Sequence, residues 1–297
     1  MIFSVSDLLQ LVESGVTIGL VYGLVGLGYV TIYRTSGVIN FAQGEFVMLG
    51  GMMSYKLWDM WHVPYPVAML LTVITVLVVG ILFYEAVVGP LLRLHASIPI
   101  LLMGTIGLSF LVEAIATNVW TAYPIYGPTF FGVNTIRLRG VAIGTQDLCT
   151  IGVAAVLVSG LFYLNNRTRL GKAMTATATD PLAAGHVGIR AGSMIRLAFI
   201  ISAFIGAVAG ATVSPIIPIT TNMGTMLAVS GFVAAVIGGW GKPSGAIVGG
   251  IVLGVVETLA GGFFPSGYKS AIGLVVLLFV LYFRPRGILG ASLTEAV

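Results

Sequence analysis

The chain has 297 residues, 58% of them hydrophobic and only 8% charged, with a mean hydropathy of +1.05. A water-soluble domain carries about 25% charged residues, so 14 Lys+Arg and 10 Asp+Glu exclude a soluble enzyme, a secreted module and a disordered chain. Unbroken apolar runs argue against a β-barrel, whose strands alternate, and the net charge of +4 reports basic cytoplasmic loops rather than nucleic-acid binding.

These properties predict an all-α, polytopic helical membrane protein, a single domain over 1–297 with about eight or nine transmembrane segments, one of them short or broken. The N-terminal stretch has no basic leader and reads as a mature end rather than a signal peptide. Nine apolar segments follow, at 16–33, 41–57, 67–88, 98–119, 148–164, 197–219, 223–239, 246–262 and 271–283. In the first, Gly15, Gly19 and Gly23 recur every four residues, the spacing at which helices pack closely in lipid. The second is the weakest. Its polar start (Asn40, Gln43, Glu45) fits a broken or re-entrant helix, tolerated only where buried in protein or lining a cavity.

Glu85 and Glu113, late in the third and fourth segments, are expected to snorkel at span ends. The loop after the fourth holds Pro124, Pro128, Arg137 and Arg139. The loop 165–196 carries Arg167, Arg169, Lys172, Arg190 and Arg196, so it is cytoplasmic by the positive-inside rule. Counting outward gives ten basic residues inside and four outside, with the N-terminus outside and the C-terminus cytoplasmic. If the second segment does not cross, everything before the third inverts.

Within that loop, Asp180 is a good N-cap, Pro181 suits the first helical position and Gly188 suits a left-handed C′. A short helix at 181–187 is therefore predicted. Local chemistry favours a mere cap for a loop between spans over a docking element. In the eighth segment Gly245 and Gly249, then Gly250 and Gly254, repeat the four-residue spacing, and the residues leave open whether each seam meets this chain or another subunit. Glu257 fits snorkelling and a buried interhelical bond equally well. Glu45 has the stronger functional claim, because Asn40, Gln43 and Glu45 concentrate polar groups where helix geometry is interrupted.

Several chemistries are missing from the sequence. Neither Gly171-Lys172 nor Gly241-Lys242 is followed by Ser or Thr, so there is no P-loop. His62, His95 and His186 are scattered and Cys149 is the single cysteine, so no metal site and no intrachain disulfide are expected. No nucleophile elbow occurs. The chain is expected to carry no catalytic residues and no cofactor.

Four stretches together carry a family resemblance. Gly37-Val-Ile-Asn-Phe-Ala-Gln-Gly-Glu45-Phe resembles the signature of branched-chain amino acid ABC transporter permeases, the smaller of two paired types. Arg169-Leu-Gly-Lys-Ala, with Asp180 and Gly188-Ile189 beyond it, resembles that family's cytoplasmic loop. Gly238-Gly-Trp-Gly-Lys-Pro-Ser-Gly-Ala-Ile-Val-Gly-Gly, with Glu257 further on, resembles its Gly-rich turn and following helix, and Arg284-Pro-Arg-Gly-Ile-Leu-Gly its C-terminal tail. Gln43 stands where histidine is commoner, and Trp240 where a smaller side chain is usual.

The resemblance implies an inner-membrane importer subunit that pairs with a second homologous permease and two cytoplasmic ATPases, which bind the ATP. An external substrate-binding protein delivers the substrate. It implies that 181–187 is the coupling helix, through Asp180, Pro181, Leu182, Ala183, Ala184, His186, Gly188 and Ile189. It also implies a substrate path near Asn40, Phe41, Gln43, Glu45 and Glu257, at the interface with the sister permease. Related permeases carry urea, short amides or aromatic acids, which leaves the substrate open. The rival reading is an ion-coupled secondary transporter built on broken helices and buried carboxylates. It would explain Glu45 and Glu257 but leave the capped cytoplasmic helix without a role. A non-transporting scaffold is a third reading.

Overall fold

A computed structural model describes residues 4–120, 123–130, 132, 135–138 and 141–290. Helix α1 (Val5–Ser36) begins eleven residues before the apolar segment read from the sequence. Ser4 and Asp7 form a capping box, the Ser4 N–H donating to Asp7 Oδ2 at 2.9 Å. That local signal starts the helix where hydropathy alone does not. Gly37, in the left-handed region at φ +70°, stops it.

Helix α2 (Gln43–Trp61) follows a six-residue non-helical stretch. The break foreseen in the second segment thus lies before this helix, and α2 itself is regular. Helix α3 runs over Tyr65–Arg93 through a π-helical turn at Tyr84–Val88, and α4 covers Ile98–Val119. Strands β1 (Thr135–Leu138) and β2 (Val141–Gly144) form an antiparallel hairpin in register Ile136↔Ile143. Sequence reading took this region as loop, because four-residue strands are too short for an alternating pattern to stand out. Arg139 lies outside the described residues. The Gln10 side chain of α1 clamps the hairpin, donating to the Ala142 carbonyl at 3.0 Å and accepting from its N–H at 2.9 Å.

Helix α5 (Thr145–Arg167) leads into α6 (Arg169–Thr179) and α7 (Pro181–His186). The segment 165–196 is therefore mostly helical rather than a loop with one short helix. Its α6 was hidden because Ala and Thr mask the face that buries Gly171, Met174 and Thr177. Helix α8 (Ala191–Val213) ends six residues before the expected 219, and Ile219 instead pairs antiparallel with Ile125 in the segment before the hairpin. Helices α9 (Met223–Gly238), α10 (Pro243–Phe263) and α11 (Lys269–Phe283) complete the bundle.

Among the described residues, six helices are long and apolar enough to cross a membrane and α9 and α11 are shorter apolar helices. Leu24, Leu27, Tyr29 and Ile32 of α1 are almost fully buried, enclosed by α8, α9 and α10, so α1 is the central post. Outer helices instead expose large apolar side chains such as Met103, Val156 and Phe279, as a lipid-facing surface requires.

Both glycine seams close within this chain. A Cβ on Gly19 would lie 2.6 Å from the Gly250 carbonyl oxygen, and one on Gly15 would lie 2.7 Å from the Val255 Cα. Gly254 meets Gly15 and Gly19 in the same way. Gly23 faces Ile247, while Gly245 and Gly249 turn to Gly238 on α9. Direct backbone approach of this kind gives helices in lipid the dispersion contact that water cannot drive.

Candidate functional site

The polar start of α2 is built by the chain around Asn40. Its Oδ1 accepts from the Ala42 N–H at 3.2 Å, and its carbonyl accepts from the Gln43 N–H at 3.1 Å. The Phe41 N–H donates to Thr105 Oγ1 at 3.3 Å. Backbone donors freed by the break are thereby satisfied inside the bundle, as a non-helical segment at membrane depth demands. Phe41 meets Tyr29 and Phe232 at 6.1 and 5.6 Å between ring centroids, and Phe232 meets Trp240 edge-on at 5.1 Å. Trp240, the unusual residue of the Gly-rich turn, thus fills out an aromatic cluster that also takes in Tyr33.

Gln43 is fully buried and clamps α2 to α8. Its Nε2 donates to the Ser202 carbonyl at 3.3 Å, and the Ser202 hydroxyl donates to its Oε1. Glu45, also fully buried, accepts from the Ser109 hydroxyl at 2.7 Å. Its carboxylate lies against Gly224, where a Cβ would stand 2.7 Å from Oε1. Glu113, expected to snorkel, turns inward and accepts from the Thr225 hydroxyl at 3.1 Å. The Asn40 Nδ2 and the Tyr29 hydroxyl are buried without a hydrogen-bond partner.

Glu257 lies apart from this cluster. It is 4% exposed, and its Oε2 accepts from the Tyr22 hydroxyl at 2.9 Å. The interhelical bond, not snorkelling, describes it. It borders a cleft of about 520 Å³ between α9, α10 and α11, lined also by Met226, Val229, Leu253, Lys269 and Leu274.

At the opposite end of the bundle, α7 carries the start and stop signals of the sequence. Asp180 Oδ1 accepts from the Leu182 and Ala183 N–H groups at 2.8 and 3.0 Å. The Ile189 N–H donates to the Ala184 carbonyl and the Gly188 N–H to that of Gly185, each at 3.0 Å, with Gly188 at φ +84°. This is a complete Schellman stop, and the helix ends at His186 rather than 187. Ala184 is buried, but Leu182 and Val187 are 80% and 76% exposed. A cavity of about 810 Å³ beside Leu182 is lined by Arg93, Arg190 and Arg196, with Thr35 and Ser36 from the end of α1. Glu85 bridges Arg196 at 3.2 Å and Arg93 at 3.9 Å, a surface pairing at a span end. The tail docks at the same end, where the Ile288 and Leu289 N–H groups donate to the Ile237 and Gly238 carbonyls at 2.8 and 2.9 Å. The tail motif and the Gly-rich turn are therefore one structural unit, which their distance in sequence conceals.

Among the described residues no group of three or more His, Cys, Asp or Glu could hold a metal ion. The arrangement offers helix clamps, a mostly apolar cleft bordered by Glu257, and an exposed capped helix.

Residues 11–281 match the family described as branched-chain amino acid transport system / permease component. The chain is 32% identical to the high-affinity branched-chain amino acid transport system permease protein BraD of Pseudomonas aeruginosa, covering 97% of this chain and 98% of that protein. It is 29% identical to the corresponding permease protein LivH of Escherichia coli K12, over 97% of each. A solved structure described as PsaBC from Streptococcus pneumoniae in complex with Fab shares the fold, with a TM-score of 0.52, 12% identity and coverage of 94% and 92% of the two chains.

Proposed function

The chain belongs to the family of permease components of branched-chain amino acid transport systems, and from that premise we propose that it forms half of an importer's passage, with α7 as the element that takes up the ATPase stroke. It is itself no enzyme. The sister half is a homologous permease, two ATPases sit on the cytoplasmic side, and an external binding protein delivers the amino acid. The nine apolar helices, α2 included, each cross the membrane. That places the N-terminus outside and the C-terminus in the cytoplasm.

The observation that carries this reading is the exposed pair Leu182, in a helix capped at both ends, and Val187, just past its last residue. Two large apolar side chains held out to solvent, Leu182 of them at an arginine-lined cavity, are costly in water and fit a protein groove. The arginines steer that docking. The orientation is supported by Arg34, Arg93, Arg190 and Arg196 lining cavities at the α7 end, the end that faces the cytoplasm under the positive-inside rule.

A rigid capped helix can pass a push from the ATPases to α6 and α8, between which it is strung. Those helices then rock against the α1 post. Asn40, Phe41, Gln43 and Glu45 lie where α2 meets α8 and α9, so their clamps are the contacts that such rocking would loaden or release. Glu257 borders the open part of the path. In reconstituted complex, Leu182→Asp combined with Val187→Asp is expected to lower ATP-driven leucine uptake at least about tenfold and to abolish stimulation of ATPase activity by the binding protein. Unchanged uptake and stimulation would refute the coupling role of α7.

A further inference from the structure

Glu257 and Lys269 face one cleft from different helices, yet they do not close into an ion pair. Both line the same cleft, while among the described residues the carboxylate with ion pairs is Glu85. Among the described residues, Glu257 is held by a hydrogen bond from one side only. Tyr22 occupies Oε2, and Oε1 lies beside Gly273, where a Cβ would come within 2.6 Å of it. Glycine there leaves the second oxygen its room next to the cleft.

We propose that this cleft receives a zwitterionic, apolar amino acid, with Glu257 taking the α-ammonium and Lys269 the α-carboxylate. The assignment rests on the amino-acid permease reading and adds to it a location and a chemistry. A carboxylate and an ammonium fixed apart in an apolar wall form a charge pair that is incomplete without a ligand carrying both signs. A simple cation or anion would satisfy one and leave the other exposed to a low dielectric. The zwitterion satisfies both and adds no net charge. Its side chain then lies against Met226, Val229, Leu253 and Leu274, flexible or branched surfaces that take aliphatic groups of several shapes. The volume of about 520 Å³ falls in the range of small-molecule sites, about 300–1,000 Å³.

The position fits a first stop on the path. Glu257 lies in the last third of α10 and Lys269 opens α11, the end remote from α7 and open to a delivery protein. Because Tyr22 already shares the carboxylate, the hold on the ammonium is weaker than in a closed site. A transit site must also release its ligand.

The test uses the complete transporter in proteoliposomes with its binding protein and leucine as the probe. ATP-dependent leucine uptake by the unmodified complex establishes the parent reading, and its absence would defeat that reading without touching the cleft. Given that uptake, Lys269→Met and Glu257→Gln are expected to lower leucine moved per ATP by about tenfold, the size of a lost charge-assisted hydrogen bond. ATPase stimulation should stay within about twofold, and Lys269→Arg should restore most of the uptake. Uptake unchanged in Lys269→Met would overturn the proposal, as would uptake and ATPase activity falling in parallel in that variant. Labelling covers the case in which Glu257→Gln does not assemble. In Ser270→Cys made on a Cys149→Ser background, millimolar leucine added directly should slow alkylation from outside, while isoamylamine and 4-methylpentanoate, each lacking one charge, should not. Equal labelling rates with and without leucine would overturn the assignment.

Discussion

Glu45 and Glu257 are both buried carboxylates packed near α9, one fully enclosed and the other 4% exposed. Glu45 sits among helix backbones, bonded to Ser109 and pressed on Gly224, with Gln43 clamping the same helix to Ser202. Glu257 accepts from the Tyr22 hydroxyl and borders open space on its other side. The difference teaches that burial alone does not define a ligand site in a membrane bundle. A carboxylate sealed by helices holds the helices, whereas one beside a cleft is free to hold something else.

The contrast breaks most sharply at the glycine next to each carboxylate. Gly224→Val forces a side chain into the fully buried Glu45 carboxylate. It should destabilise the chain by about 3 kcal/mol or more, seen as a marked fall in melting temperature of the detergent-purified complex and loss of assembled transporter. Gln43→Leu should cost about 1–3 kcal/mol by leaving the Ser202 hydroxyl without its acceptor, again read by melting. Its uptake loss should be no larger than that stability loss explains. Gly273→Ala crowds Glu257 Oε1 but leaves the cleft for the carboxylate to move into. Stability should change by less than about 1 kcal/mol, while uptake falls several-fold. Tyr22→Phe removes the Tyr22 hydrogen bond to Glu257, worth about 1 kcal/mol. A shift in uptake of about fivefold or less with the fold intact is the smallest expected effect. Equal melting losses at Gly224 and Gly273 would erase the distinction between the two sites.

Much of this was readable from residues. Each of the nine apolar segments is a helix, since an unbroken apolar run in lipid has few other ways to satisfy its backbone. Asp180, Pro181 and Gly188 wrote the start and stop of α7 in local chemistry that needs no tertiary context. The seam glycines were visible by spacing, but their partners were not. Gly19 meets Gly250 only after some 230 residues of chain have folded between them. For the same reason the Tyr22–Glu257 bond and the inward turn of Glu113 toward Thr225 could not be foreseen. The early start of α1 was signalled by Ser4 and Asp7 and missed by attention to hydropathy. Nothing but the packing of α10 on α11 places Lys269 in the same cleft as Glu257.

The central claim is that this chain is a passive half-passage driven by ATP hydrolysis in its partners. Leucine accumulation in proteoliposomes containing the purified chain alone, compared with those containing the complete complex, its binding protein and internal ATP, tests it most directly. The account predicts no accumulation by the chain alone, under a proton gradient or without one, and ATP-dependent accumulation by the complex. Sustained leucine accumulation by the isolated chain, driven by an ion gradient, would contradict it.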